Sequence, residues 1–306
     1  MGSGLLAVIP AGYIVLPTLL PHAIIFAPNA IARIAPEDDP DSSDLLSQGA
    51  SSHLRIPVGP PEASIACLVV EPPGRPVGTI LILHGIWGRK EVELEKGRAW
   101  AERGYRVALI DLRGHGRSTG ACLTFGVVES ADIVQVISFL EKKGLLRQPL
   151  GVIGYSYGGA VALQAAARDR RVAAVASIST FASMRRVVGA YVSARLPVIG
   201  SWVTSQQLDN ATMEAGRLAG FNPSDANTAA AVARITVPIF LAHGQEDRNI
   251  PVDDVRELAR AAGARATLLI VDGADHDAMM RHEHEPLESA LRTWILDRLQ
   301  EGRVSP

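Results

Sequence analysis

Leu150-Gly151-Val152-Ile153-Gly154-Tyr155-Ser156-Tyr157-Gly158-Gly159 is a short apolar run that ends in a glycine-flanked serine and opens a stretch of helical periodicity, Tyr157–Arg168. A strand that turns sharply into a helix needs glycines beside the turn, because a Cβ there would collide as the chain doubles back. The G-x-S-x-G pattern in that setting lifts a serine hydroxyl out of the turn, with the free amides of a helix N-terminus behind it. Ser156 is therefore the candidate nucleophile.

Working outward, apolar β-branched runs recur at Ala66–Val70, Thr79–Leu83, Arg106–Ile110, Val172–Ile178, Val237–Leu241 and Ala266–Val271. Helical periodicity lies between several of them, at Glu91–Arg103, Glu129–Lys143 and Val255–Ala262, and again at the end in Pro286–Leu299. Strands alternating with helices predict an α/β domain, a mostly parallel sheet with helices on both faces. Between Thr180 and Val237 about 55 residues carry no clear strand, against a usual connection of about 4–6. Helical patterns around Met184–Leu196 and Asp225–Ala233 make this stretch, residues 182–235, a small helical cap, with Leu196–Trp202 as its apolar part.

A serine nucleophile needs a base, and the base needs an orienting acid. His276 follows the last apolar strand and Asp247 follows the one before it, both where catalytic loops gather in open α/β sheets. The chain order Ser156, Asp247, His276 is the order of α/β hydrolases. Glu246 is the alternative acid, but the spacing in His243-Gly244-x-x-Asp247 favours Asp247. His84, His115 and His243 sit beside glycines and are read as loop-shaping residues, Asp275 as a solvated neighbour of His276, and His282 and His284 as a polar surface.

Four motifs together, Leu83-His84-Gly85, Asp111-Leu112-Arg113-Gly114-His115-Gly116-Arg117-Ser118, the serine turn and His243-Gly244-x-x-Asp247, resemble the α/β-hydrolase superfamily over roughly residues 57–299. The body is similar to its compact esterase-like and serine-aminopeptidase-like members, some of which carry an N-terminal membrane anchor. The resemblance implies an oxyanion hole built from the backbone N–H groups of Tyr157 and Ile86. It implies a serine hydrolase acting on a carboxylic ester, a small-molecule acyl compound, with no metal and no organic cofactor. A peptidase or amidase using the same triad is the alternative, with Arg185 or Arg186 holding a peptide terminus. A non-catalytic, membrane-tethered binding protein on the same fold is the alternative of another class.

Composition narrows the rest. Hydrophobic residues make up 47% and charged residues 20%, which argues against disorder, and a net charge of −2 gives no reason to expect nucleic acid as a partner. Cys67 and Cys122 are far apart and read as ordinary thiols. From Leu5 to Ala32 there is no Asp, Glu, Lys or Arg, longer than the roughly 20 residues that cross a bilayer. Residues 1–35 are accordingly expected to form a membrane anchor through residues 5–32, with residues 36–52 as a linker and 53–306 as the hydrolase domain. That reading makes the protein membrane-associated, with a cytoplasmic protein as the alternative. A cleaved signal peptide fits less well for want of a positive n-region. The remaining possibility for the segment, in which Pro10, Pro17, Pro21 and Pro28 recur, is a broken apolar arm packed on the domain or on a second subunit.

Overall fold

The computed structural model describes residues 19–32, 51–195, 203–281 and 285–301. Eight strands form a single sheet in the order β1-β2-β4-β3-β5-β6-β7-β8. They are β1 Ser52–Val58, β2 Ala63–Val70, β3 Gly78–Leu83, β4 Tyr105–Ile110, β5 Leu150–Tyr155, β6 Val172–Ile178, β7 Ile239–Gly244 and β8 Ala266–Val271. β2 pairs antiparallel with both β1 and β4, and every pairing from β4 across to β8 is parallel. The α/β fold expected from the alternation is the one observed.

The central strands read as unbroken apolar runs because both faces of the sheet are covered. Side chains alternate along a strand, so β3 sends Leu81 and Leu83 into one core and Ile80 and Ile82 into the other. The first core is closed by α2 Val127–Lys142, α3 Tyr157–Ala166 and α7 Val252–Ala262. The second is closed by α1 Leu94–Ala101, α8 His276–Met280 and α9 Leu287–Glu301. Strand order reverses at β3, which lies between β4 and β5. The crevice beyond the ends of β3 and β5 is where open α/β sheets hold their ligands.

Between β6 and β7 lie the helices α4 Met184–Arg195, α5 Ser205–Ala219 and α6 Thr228–Val232. The apolar cap residues expected at 196–202 lie outside the described residues. Ser52, expected to end the linker, begins β1 instead.

The N-terminal expectation needs correction. Residues 19–24 are helical, and the chain then pairs with the body: Leu123 N–H donates to the Ile25 carbonyl at 2.9 Å and Phe26 bridges Cys122. Asn29 N–H donates to the Gly114 carbonyl at 3.0 Å. Ile24, Ile25 and Ala27 are buried. Ile24, Ile25 and Ala27 thus find their apolar surroundings in protein, and this part of the stretch 5–32 behaves as the packed arm. Among the described residues no helix is long and apolar enough to cross a membrane; residues 5–18 lie outside them.

On the second face, Glu288 of α9 meets α1 in a charged cluster. Burial lifts its carboxyl from the ordinary 4.5 to about 7; Lys96 and Arg292 oppose the rise, and Glu285 and Glu93 add to it. Among the described residues its Oε1 has no hydrogen-bond partner. The folded protein therefore holds this proton more tightly than the unfolded chain, and stability is lost as pH climbs from 4.5 through about 7. Glu288→Gln is expected to raise the melting temperature at pH 8 and leave it unchanged at pH 5. Thermal melts at the two pH values check this, and equal shifts at both would contradict it.

Candidate active site

The turn after β5 carries Ser156 at φ 50° and ψ −114°, a strained conformation for a residue with a side chain. Its surroundings leave no alternative. A Cβ on Gly154 would lie 2.2 Å from the Gly158 carbonyl oxygen, and one on Gly158 would lie 2.5 Å from the carbonyl oxygens of Leu83 and His84. Ser156 N–H donates to the Ile178 carbonyl at 2.7 Å, and the Thr180 hydroxyl donates to the Ser156 carbonyl at 2.7 Å. The end of β6 thus holds the turn by both its N–H and its carbonyl.

His276, at the start of α8, brings Nε2 to 3.1 Å from Ser156 Oγ. Its Nδ1 lies 2.6 Å from Asp247 Oδ2. A carboxylate only accepts, so Nδ1 carries the hydrogen and Nε2 is left to receive the serine proton. Asp247 is fixed in turn, its Oδ1 accepting from the backbone N–H groups of Asn249 and Ile250 at 2.9 and 2.8 Å. Three residues far apart in sequence are brought together at one rim of the sheet. Glu246 is exposed and takes no part in this chain of bonds. Asp275 caps α8, accepting from Ala278 N–H at 2.8 Å, so it positions the helix of His276 rather than being merely solvated.

Tyr157 is the first residue of α3, where backbone amides have no carbonyl of their own helix to reach. Ile86 lies in the turn that Gly88 N–H closes on the Gly85 carbonyl at 3.0 Å. A Cβ on Gly85 would sit 3.4 Å from that of Ser156, so the turn abuts the nucleophile. Trp87 completes it at φ 64°.

The histidines set aside on sequence are structural. His84 Nδ1 donates to the Gly85 carbonyl at 2.7 Å and its Nε2 accepts from Leu112 N–H at 3.1 Å, an arrangement that holds the neutral ring. Burial lowers its pKa to about 4, and that of His115 to about 3. His115 Nδ1 donates to the Arg113 carbonyl, and its ring lies between those of His84 and Tyr157. His243, also held neutral by burial, donates from Nε2 to the Ile250 carbonyl at 2.8 Å. His282 and His284 lie outside the described residues, among which no group of metal-ligating side chains is found.

Two buried networks escaped the sequence reading. Asp111 accepts from Lys90 N–H at 2.6 Å, from Lys90 Nζ at 2.9 Å and from Arg117 N–H at 2.9 Å. It therefore ties the far end of the Gly85–Gly88 loop to the end of β4. Glu129 accepts from the Tyr157 hydroxyl at 2.8 Å, from Thr124 N–H at 2.8 Å and from Gly126 N–H at 3.0 Å. The only sequence signal for it was an acid in the first turn of a helix after Gly126. Arg113 forks onto Asp132 with two bonds of 2.7 Å, so that motif arginine is spent within the fold.

Above Ser156 opens a cavity of about 220 Å³ whose lining includes Ile86, Trp87, Phe125, Tyr191 and Ile250, and among the described residues no charged side chain lines it. Arg185 and Arg186, expected as holders of a peptide terminus, are absent from that lining. Arg185 forks onto Asp209 within the cap, and Arg186 onto Asp254, with Glu257 3.5 Å away.

Residues 80–290 match the sequence profile of the alpha/beta hydrolase family. The match covers well over half of the chain, and the protein belongs to that family. The chain is 27% identical over 202 residues to the uncharacterized protein YqkD of Bacillus subtilis, covering 65% of this chain and 64% of that one. It therefore spans less than two thirds of that relative's length. It is 28% identical over 272 residues to 2,6-dihydropseudooxynicotine hydrolase of Paenarthrobacter nicotinovorans, covering 87% of this chain and 69% of the relative. Among solved structures, the esterase PF2001 of Pyrococcus furiosus superposes with a TM-score of 0.66 at 18% identity, covering 86% of this chain and 96% of the other. Est1E of Butyrivibrio proteoclasticus with ferulic acid bound gives 0.58 at 17% identity, covering 78% and 96%. Likeness at such low identity speaks to the fold alone.

Proposed function

We propose that this α/β hydrolase cleaves carboxylic esters of apolar acids through an acyl-enzyme formed on Ser156. The observation that carries this is the line of bonds from Ser156 Oγ through His276 to Asp247, opening directly onto an uncharged apolar cavity. Ser156 Oγ attacks the carbonyl carbon as its proton passes to His276 Nε2, and Asp247 stabilises the imidazolium that forms. The N–H groups of Tyr157 and Ile86 receive the developing oxyanion, worth about 3–4 kcal/mol per donor. The carbon–oxygen bond to the alcohol then breaks, and His276 returns the proton to the departing alkoxide. Water, deprotonated by the same imidazole, attacks the acyl carbon and releases the acid and the free serine.

An ester fits this site better than a peptide. An ionised terminus inside the cavity would be desolvated with no charged partner among the described lining residues. The test is hydrolysis of p-nitrophenyl esters from acetate to decanoate beside an aminoacyl-anilide, with fluorophosphonate labelling in parallel. Esters are expected to be cleaved and the anilide not. Anilide cleavage in preference to every ester would move the assignment to a peptidase, and failure of the wild type to label would leave a binding protein.

A further inference from the structure

Leu20, Ala23 and Ile24 of the N-terminal arm line the same cavity as Ser156. They stand at positions i, i+3 and i+4 within the helical residues 19–24, the spacing that gathers side chains on one helical face. The arm is fastened to the loops that follow β4. Ile25 and Phe26 pair with Leu123 and Cys122, the Asn29 backbone N–H bonds to the Gly114 carbonyl, and its side-chain amide bonds to the Ser118 carbonyl. The Phe26 ring also lies 6.2 Å from that of Trp87, beside Ile86 in the loop next to the nucleophile. One wall of the cavity thus comes from outside the matched hydrolase region, residues 80–290.

We propose that this arm sets the acyl-chain length the enzyme accepts. Leu20, Ala23 and Ile24 bound an uncharged aliphatic or aryl acyl group attached at Ser156. The inference rests on the esterase reading for its substrate class, but the wall itself is a binding property that exists without turnover. Ala23 is the short side chain of the three, so enlarging it projects new atoms into space that a long acyl group needs. Leu20→Ala does the reverse. Leu19 is 62% exposed and does not line the cavity, which makes Leu19→Ala the control.

The experiment measures kcat/KM for p-nitrophenyl acetate, hexanoate and decanoate with wild type, Ala23→Phe, Leu20→Ala and Leu19→Ala. Calorimetric titration of decanoic acid into each protein runs alongside. Ala23→Phe is expected to lower the decanoate-to-acetate ratio by about tenfold or more, as one misfitting group in an apolar pocket does. It is also expected to weaken decanoic acid binding, and Leu20→Ala to raise the ratio. Leu19→Ala is expected to leave it unchanged. Ala23→Val serves where the phenylalanine variant does not fold. Ratios and decanoic acid affinities equal to wild type in both the Ala23 and Leu20 variants overturn the inference. A wild type that cleaves no ester, yet binds decanoic acid more tightly than Ala23→Phe, removes the esterase reading and keeps the wall.

Discussion

Ser156→Ala is expected to lower kcat for ester hydrolysis by about 10⁶-fold and to abolish fluorophosphonate labelling. That is the scale seen when a triad serine is removed elsewhere. Binding is expected to survive, because the cavity is built from side chains the substitution does not touch. His276→Ala is expected to fall almost as far, since the two residues act as a unit through their 3.1 Å contact. Asp247→Asn is expected to cost about 10⁴-fold: an amide facing Nδ1 favours the tautomer that leaves Nε2 protonated and unable to accept. Activity of Ser156→Ala within tenfold of wild type, measured with protein free of contaminating esterase, would end the assignment of the nucleophile.

Asp111→Ala is expected to destabilise the fold by about 3–5 kcal/mol, the usual result of leaving one half of a buried ion pair behind. Lys90 and Asp111 have fully buried side chains. Without the carboxylate, the Lys90 ammonium keeps only Glu91, 2.5 Å away, of its two carboxylate partners, and the N–H groups of Lys90 and Arg117 lose their acceptor. The expected fall in melting temperature is roughly 10 °C. Because Asp111 also anchors the loop bearing Ile86, the remaining folded protein is expected to show reduced kcat. Adding Lys90→Met should recover part of the stability, since a buried pair exchanged for apolar groups is often tolerated. A melting temperature unchanged in the single variant would show that the carboxylate is dispensable.

Much of this was legible in the chain itself, and the exceptions have physical causes. β3 to β7 announce themselves because strands buried on both faces must be continuously apolar, and β8, at the sheet edge with Leu268 exposed, is apolar all the same. The strand of residues 239–244 begins later than expected because Pro238 can donate nothing to the ladder. β1 was missed: Arg55 and Pro57 interrupt its pattern, which an edge strand tolerates. α5 was missed because its sequence is mostly polar, and only its packing on α4 and its Thr204 cap reveal it. The triad could be read from order and from the positions after strands. Glu129 and the Lys90–Asp111 pair could not, since a sequence does not say which charges will be buried together. The arm shows the limit of hydropathy. An uncharged stretch reports a need for apolar surroundings, and Ile24, Ile25 and Ala27 find them against the protein's own flank.

The sheet also sets the helix of the base and most of the cavity wall on different cores. Ala274 and Met279, which flank His276, are rooted in the core shared by α1, α8 and α9, whereas Ile24, Phe125, Phe181 and Val187 face the cavity from the opposite core. Substitutions at distant positions without shared partners combine additively. A lineage carrying this scaffold can therefore exchange one diet of substrates for another by redecorating a single flank while the helix of its base stays rooted in the other, provided that Tyr157 and Ile250, which serve both, are kept.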